Sequence, residues 1–155
     1  MRFLTPIAVW LGGLSWLPRF LPQIVAIDRL IQRLSRGRLT LLDIAGLPNV
    51  TLTVRGRKSG LPRTTPLLAV PYQGRWLIAG SNFGGEKAPV WVVNLRAAEE
   101  AEIGVDGRTV PVTARELSGD ERARMWQVML RTWPNYAKYE ERTARTIPVF
   151  LLAER

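Results

Sequence analysis

The first third of the chain carries apolar residues at helical spacing. In the uncharged run 3–17, large apolar side chains recur three and four residues apart until Pro18 breaks the pattern. A second amphipathic helix is predicted over 23–36. Its apolar face is predicted to hold Ile24, Ile27, Ile31 and Leu34, and its polar face Asp28, Arg29, Gln32 and Arg33. We expect these helices to cover the core of the domain; the alternative is a membrane contact, since Trp10, Trp16, Arg19 and Phe20 lie close in sequence.

From residue 49 onward, the pattern changes to that of β-strands. The predicted strands span 50–54, 64–72, 75–80, 101–105, 108–116 and 147–152. Gln73-Gly74 and Asp106-Gly107 predict hairpin turns. Helices are predicted from Pro89 to about Ala98, from a capping box at 118–121 to about Arg131, and from Pro134 to before Ile147.

These elements predict an α+β fold, with five to six mostly antiparallel strands in a small barrel and helices at its periphery. We divide the chain into an apolar and amphipathic helical segment over 1–46 and a barrel domain over 47–155. Arg2 and the apolar run resemble the start of a signal peptide, but no small-residue cleavage site follows. We therefore expect a cytoplasmic protein, with the N-terminal segment as the candidate for contact with the inner face of the cell membrane.

Composition narrows the chemistry that such a domain can perform. The net charge of +9 favours an anionic partner. The chain has no Cys and no His, which excludes thiolate catalysis, a His general base and most transition-metal sites, so no metal site is expected. An enzyme with so few catalytic side chains is expected to rely on an organic cofactor. A nucleic-acid-binding module is disfavoured, because no recognised motif is present and the aromatic residues are not interleaved with basic ones.

Four groups of residues could form a site. The stretch 55–63 holds four basic side chains and no acid, which suits an anion, although an ordinary solvated turn has the same composition. The Gly-rich stretch 81–87 precedes a helix N-terminus. Trp91 and Asn94 share a helical face that suits a flat heterocycle, and Trp91 could equally belong to the core. Tyr136 and Tyr139 also lie three residues apart, so both hydroxyls can face one cleft or pack half-buried.

Three longer motifs occur in order: GRKSGLPRTTPLL, IAGSNFGGEKAPVWVVNLRA and WPNYAKYEERTARTIPVFLL. Together they resemble the deazaflavin-dependent nitroreductase family, which includes quinone reductases and uses reduced coenzyme F-420. The resemblance covers about residues 49–153. It implies a split β-barrel like those of flavin reductases and pyridoxamine-phosphate oxidases.

The resemblance also implies roles for individual residues. The basic turn that binds the phosphate and acidic tail of the coenzyme corresponds to Arg57, Lys58 and Ser59, and the strand that continues this site corresponds to Arg63, Thr64, Thr65 and Pro66. Positions near the deazaflavin ring correspond to Ala79, Gly80, Ser81, Asn82, Val90, Trp91, Val92, Val93 and Asn94. Tyr136 and Tyr139 correspond to aromatic positions on the substrate side. The chain departs from the nitroreductase branch at Asn82, Leu68 and Trp133.

The resulting hypothesis is a reductase that passes a hydride from reduced F-420 to a hydrophobic, electron-poor acceptor. The candidate acceptors are a quinone, an enone, an unsaturated lactone or a nitro compound. Ser81, Tyr136 and Tyr139 are the candidate catalytic residues that orient the acceptor. The alternatives are a split-barrel reductase that binds FMN and a non-catalytic F-420 carrier. The oligomeric state is left open.

Overall fold

The computed structural model describes residues 4–98 and 100–155, so Arg2 and the start of the apolar run lie outside the described residues. The α-helices are α1 (Thr5–Gly12), α2 (Leu21–Leu34), α3 (Leu41–Ile44), α4 (Val90–Ala98), α5 (Gly119–Thr132) and α6 (Asn135–Arg142). The strands are β1 (Asn49–Arg55), β2 (Pro62–Leu68), β3 (Val70–Tyr72), β4 (Arg75–Ala79), β5 (Glu100–Val105), β6 (Arg108–Glu116) and β7 (Val149–Glu154). Short 3-10 helices span Leu17–Phe20 and Asn82–Gly84.

The strands form one curled antiparallel sheet in the order β2-β1-β5-β6-β7-β4-β3. This confirms the predicted α+β class and the split-barrel architecture, with seven strands rather than five to six. The additional strand arises because the predicted strand 64–72 is divided. Its first part pairs with β1, and the residues after Ala69 pair with β4.

Both predicted hairpin turns are present. Gln73 and Gly74 adopt φ values of 48° and 74°, and Asp106 and Gly107 adopt 50° and 73°. Two successive residues with positive φ are typical of the turn that matches the twist of paired strands, which explains why a Gly stands second in each. Tyr72 pairs with Arg75 next to the first turn, and Val105 pairs with Arg108 next to the second.

Two hydrophobic clusters lie against the sheet. The first packs α4 on β1, β5, β6 and β7, and includes Leu52, Ile103 and Phe150. The second packs α5 and α6 on β4 and β7, and includes Met129, Tyr136 and Tyr139. Strands β4 and β7 contribute residues to both clusters, and the two candidate tyrosines belong to the buried residues of the second.

Only half of the predicted apolar face of α2 is covered by the rest of the chain. Asp28, predicted to be solvated, is 7% exposed, whereas Ile27 and Leu34, predicted to be buried, are 51% and 78% exposed. The reason is a capping interaction: the Asp28 carboxylate accepts hydrogen bonds from the backbone N–H of Leu41 (2.7 Å) and from Gln32 Nε2 (2.5 Å). A buried carboxylate that satisfies a helix N-terminus fixes the rotation of α2.

A capping box is present at α3 rather than at α5. Thr40 Oγ1 accepts from the N–H of Asp43, and the Asp43 carboxylate accepts from the N–H of Thr40. Ser118 precedes α5 but makes no side-chain capping hydrogen bond, so the predicted capping box at 118–121 is wrong. Helix α5 nevertheless begins at the predicted place, because Asp120 and Glu121 in its first turn complement the helix dipole.

Candidate functional site

The basic turn (residues 55–63) connects β1 to β2 at one edge of the sheet. Its backbone is closed by hydrogen bonds from the N–H of Gly56 to the carbonyl of Leu61 and from the N–H of Gly60 to the carbonyl of Gly56, both 2.8 Å. Ser59 Oγ accepts from the N–H of Leu61 at 3.2 Å, so this hydroxyl shapes the turn. A Cβ on Gly56 would lie 2.6 Å from that same Oγ, so a side chain at this position would displace the hydroxyl from its hydrogen bond.

The cations of the basic turn point into solvent. Arg55, Arg57, Lys58 and Arg63 are all exposed. Among residues 4–98 and 100–155, the ion pairs are Arg96–Glu116, Arg115–Glu121 and Arg155–Glu100. None of them involves the basic turn, so its charges are available to an external anion.

Asn94 links this turn to α4. Its Oδ1 accepts a hydrogen bond of 3.1 Å from the backbone N–H of Arg57, and the residue is only 6% exposed. Because the buried side-chain amide of Asn94 accepts this N–H, it fixes the position of the turn relative to α4. The structure therefore brings together two residues that the sequence placed 37 positions apart.

The other α4 candidates divide between core and surface. Trp91 and Val92 are buried in the first cluster, and the Trp91 ring packs at 6.0 Å from that of Phe150. Val90 and Val93 lie on the exposed face of the same helix. The exposed face, rather than the Trp91 ring, is the part of α4 that an external ligand can reach.

Strand β2 is an edge strand of the sheet. It carries the residues that the resemblance assigned to the continuation of the basic turn. Arg63 and Thr64 are exposed, while Thr65 and Pro66 are half-buried. The hydroxyls of Thr64 and Thr53 lie 2.8 Å apart across the β1–β2 ladder. The polar side chains of β2 therefore continue the surface that begins at the basic turn.

The Ser81 loop (residues 80–87) joins β4 to α4. Asn82, Phe83 and Gly84 adopt three successive positive φ values, of 45°, 55° and 80°. Each non-Gly residue in this region costs about 1–2 kcal/mol, so surrounding contacts must hold the loop in place. A Cβ on Gly84 would lie 2.5 Å from the Tyr139 carbonyl oxygen, which shows how closely the loop packs on α6.

Arg145 provides such contacts, although no sequence motif assigned it a role. Its Nε donates to the carbonyl of Gly85 (2.9 Å), one terminal nitrogen to that of Gly80 (3.1 Å) and the other to that of Ser81 (2.9 Å). Burial lowers the pKa of the Arg145 guanidinium, which nevertheless stays charged at neutral pH. The predicted third helix extends almost to Ile147, whereas α6 ends at Arg142, so Arg145 lies in an irregular segment before β7.

The remaining loop positions are also held by internal contacts. The Asn82 side-chain amide donates to the Lys87 carbonyl at 3.2 Å. The Gly80 N–H donates to the Pro148 carbonyl at 2.9 Å, and a Cβ on Gly80 would lie 2.5 Å from Val92. Ala79 is the last residue of β4 and is half-buried in the second cluster, and Ser81 is also half-buried.

Tyr136 and Tyr139 lie together but do not face an open cleft. Their ring centroids are 6.1 Å apart, and both residues are buried. The Tyr139 hydroxyl donates to the carbonyl of Gly12 at the end of α1, at 2.7 Å. Helix α1 therefore covers the side of α6 that was predicted to line the substrate.

Further contacts hold the end of α1 on α6. Asn135 Nδ2 donates to the Val9 carbonyl and an Arg142 terminal nitrogen to the Gly13 carbonyl, both at 2.6 Å. A Cβ on Gly12 would overlap the Trp133 ring, so the glycine permits this close approach. The bond to Gly13 gives a partner to a carbonyl at the end of the helix, and the bond to Val9 adds a second donor to a carbonyl that already accepts the N–H of Gly13.

Burial raises the pKa of both tyrosines. For Tyr136 the cause is chiefly desolvation, reinforced by the neighbouring Tyr139. For Tyr139, desolvation raises the pKa, while a hydrogen bond with Trp133 and the charge of Arg142 oppose it. Both phenols are therefore neutral proton donors at physiological pH. Within the described residues, no group of three or more carboxylates is placed to hold a metal ion.

Comparisons with known proteins agree with this architecture. Residues 27–154 match the family model described as F-420H(2)-dependent quinone reductase. An F-420H(2)-dependent quinone reductase of Mycobacterium tuberculosis is 33% identical over 144 residues, covering 90% of this chain and 97% of that protein. A solved F-420-H2 dependent reductase is 36% identical, with a TM-score of 0.64, covering 68% of this chain and 94% of that one. A second chain, solved as a domain-swapped dimer, is 31% identical, with a TM-score of 0.67, covering 85% of this chain and 99% of that one.

Proposed function

The chain belongs to the F-420H(2)-dependent quinone reductase family, and we propose that it catalyses hydride transfer from reduced F-420 to a quinone at the surface formed by the basic turn, β2, the Ser81 loop and α4. The observation that carries this proposal is the set of exposed cations on a turn fixed to α4 by Asn94. The reduced deazaflavin supplies the hydride when it is bound, and the protein supplies binding, orientation and a hydrogen bond to the acceptor.

The basic turn suits the anionic part of this coenzyme, which carries a phosphate and a polyglutamate tail. Arg57 and Lys58 lie at the exposed tip, and Arg63 follows on β2, opposite Val54. Guanidinium groups bind phosphate and carboxylate oxygens through two parallel hydrogen bonds, and Lys adds a point charge. The half-buried Thr65 and Pro66 extend this surface along the strand. The exposed face of α4, with Val90 and Val93, offers an apolar surface to the ring.

Ser81 and Tyr139 are the proposed residues that orient the acceptor, with Tyr136 as a neighbouring candidate. A hydroxyl donor polarises a quinone carbonyl and lowers the barrier to hydride addition. Tyr139 is neutral over the whole physiological range, as this role requires. Its single proton is donated to Gly12, so the acceptor reaches this hydroxyl only after α1 has moved away.

We further propose that residues 1–46 form a separate segment that meets the inner face of the cell membrane, and that the chain is otherwise cytoplasmic. Within the described residues, no helix is both long and apolar enough to cross a bilayer. The exposed large apolar residues of α1, α2 and the segment between them are Ile7, Trp10, Leu11, Trp16, Phe20, Val25, Ile27, Leu30 and Leu34.

The charges of this N-terminal segment favour an anionic lipid surface over a second copy of the chain. Five arginines lie between residues 19 and 38, and the one acid in that range, Asp28, is buried. Apolar residues flanked by arginines match the interface of an anionic bilayer, whereas two copies of this surface would repel each other. A quinone dissolved in that bilayer would then lie close to α1.

A titration with F-420 and with FMN, followed by fluorescence, tests the cofactor assignment. We expect saturable F-420 binding that weakens with salt, and no tight FMN binding. Tight FMN binding without F-420 binding would overturn the proposal in favour of a flavin-type split barrel. Turnover of menadione with reduced F-420 distinguishes a reductase from a carrier.

A further inference from the structure

We propose that Arg145 is a positioning residue of the cofactor site, acting through the backbone of the Ser81 loop. The inference rests on the proposed F-420 site and goes beyond it, because Arg145 was not among the residues that the motifs assigned. Its three guanidinium nitrogens each donate to a different carbonyl, of Gly80, Ser81 and Gly85. These carbonyls bracket the part of the loop that carries Ser81 and Asn82.

The backbone conformation of the loop explains why this guanidinium is needed. Asn82 and Phe83 both adopt positive φ, which is unfavourable for side chains larger than Gly. Arg142 adds only one long hydrogen bond, of 3.3 Å, to the Phe83 carbonyl. Arg145 therefore joins the beginning of the loop, at Gly80 and Ser81, to Gly85 beyond the strained residues, and its three hydrogen bonds help to offset the strain between them.

The geometry of the interaction also selects arginine. A planar guanidinium can direct three donors toward separate carbonyls within one plane, whereas a lysine ammonium is a compact point donor. Because Arg145 bonds only to backbone carbonyls in these three contacts, it does not occupy the Ser81 hydroxyl. The substitution Arg145→Lys keeps the positive charge but removes the guanidinium, so we expect it to release the loop.

The test compares Arg145→Lys with wild type, and uses Arg124→Ala, an exposed arginine on α5, as the control. Hydrogen–deuterium exchange of residues 82–87 in the cofactor-free protein is the first measurement, and we expect faster exchange confined to the loop. The second is the kinetics of menadione reduction with reduced F-420, where we expect kcat to fall about ten- to hundredfold, with a smaller change in the menadione KM.

Wild-type exchange in the loop of Arg145→Lys would overturn the inference, as would wild-type kcat in a variant whose loop exchanges faster. A lower melting temperature with unchanged loop exchange and unchanged kcat would assign Arg145 a purely structural role and would also overturn it. The second variant is Arg145→Ala, measured with and without added guanidinium ion. Slower hydrogen–deuterium exchange of the loop when the ion is added supports the inference. Failure of wild type to bind F-420 would instead refute the proposed function, and loop exchange would still report on Arg145.

Discussion

The Tyr139 hydroxyl donates a 2.7 Å hydrogen bond to the carbonyl oxygen of Gly12, which precedes it by 127 residues. This contact joins the N-terminal segment to the helix that carries both candidate tyrosines. Asn135 and Arg142 make parallel contacts to Val9 and Gly13. The end of α1 thus occupies the hydroxyl proton of Tyr139, the residue of α6 that we propose as a donor to the acceptor.

Replacement of Tyr139 by Phe should separate turnover from cofactor binding. The variant loses the donor to Gly12 and the proposed donor to the acceptor, so we expect about 1 kcal/mol lower stability and at least about tenfold slower menadione reduction. F-420 affinity should stay within about twofold, because the basic turn is untouched. Steady-state kinetics, fluorescence titration and urea unfolding check these values, with Tyr72→Phe on β3 as the control. Unchanged turnover in Tyr139→Phe would remove this residue from the acceptor site.

Replacement of Arg57 and Lys58 by Ala should have the opposite effect. Each charge-assisted hydrogen bond contributes about 1.5–3 kcal/mol, so we expect F-420 affinity to fall at least about tenfold and its salt dependence to become less steep. At saturating coenzyme, kcat should approach the wild-type value. The control is Arg108→Ala with Arg124→Ala, which removes the same charge from exposed positions elsewhere. Equal losses of affinity in both double variants would show that net charge, rather than the turn, attracts the coenzyme.

The local features of the fold could be predicted because their causes lie within a few residues. Gln73-Gly74 and Asp106-Gly107 define their turns through Gly, and both hairpins were correctly predicted. Pro89 precedes a helix that begins at Val90, as expected. The division of 64–72 into two strands could not be predicted, because it depends on which neighbouring strand each part pairs with.

Features that depend on distant partners were missed or predicted wrongly. The rotation of α2 is set by Asp28, whose partner Leu41 belongs to another helix. The spacing of Tyr136 and Tyr139 correctly predicted that they lie together, but nothing nearby indicates that Gly12 covers them. Arg145 lies in an irregular segment, and its role is visible only once the carbonyls of the Ser81 loop are placed around it.

The N-terminal segment should bind anionic vesicles. Leu30 and Leu34 are 54% and 78% exposed, so Leu30→Ser with Leu34→Ser should weaken cosedimentation with vesicles rich in phosphatidylglycerol several-fold. Neutral phosphatidylcholine vesicles should bind wild type weakly, and Val90→Ser on α4 serves as the control for an exposed apolar residue. The contrary outcome has two parts: wild type does not bind vesicles, and light scattering shows a wild-type dimer that the double variant dissociates. That result would assign this surface to a contact between subunits.

Alkaline pH should destabilise the protein partly through Tyr136. Burial raises the pKa of this phenol above its ordinary value, so the folded state keeps it protonated where the unfolded state ionises it. Its contribution is therefore fully present below about pH 10 and is lost as the pH rises further. Urea unfolding between pH 8 and about 11 measures this loss, and Tyr136→Phe should make the decline shallower. An equally steep decline in Tyr136→Phe would contradict the assignment.

The central claim is that the protein catalyses hydride transfer from reduced F-420 to a quinone. Anaerobic mixing of the protein with excess reduced F-420 and menadione tests it most directly, with the oxidised coenzyme followed by absorbance and the menadiol by chromatography. We predict many turnovers per protein molecule, with one menadiol formed for each coenzyme oxidised. Coenzyme that binds tightly yet stays reduced in the presence of menadione would contradict the claim and identify a carrier.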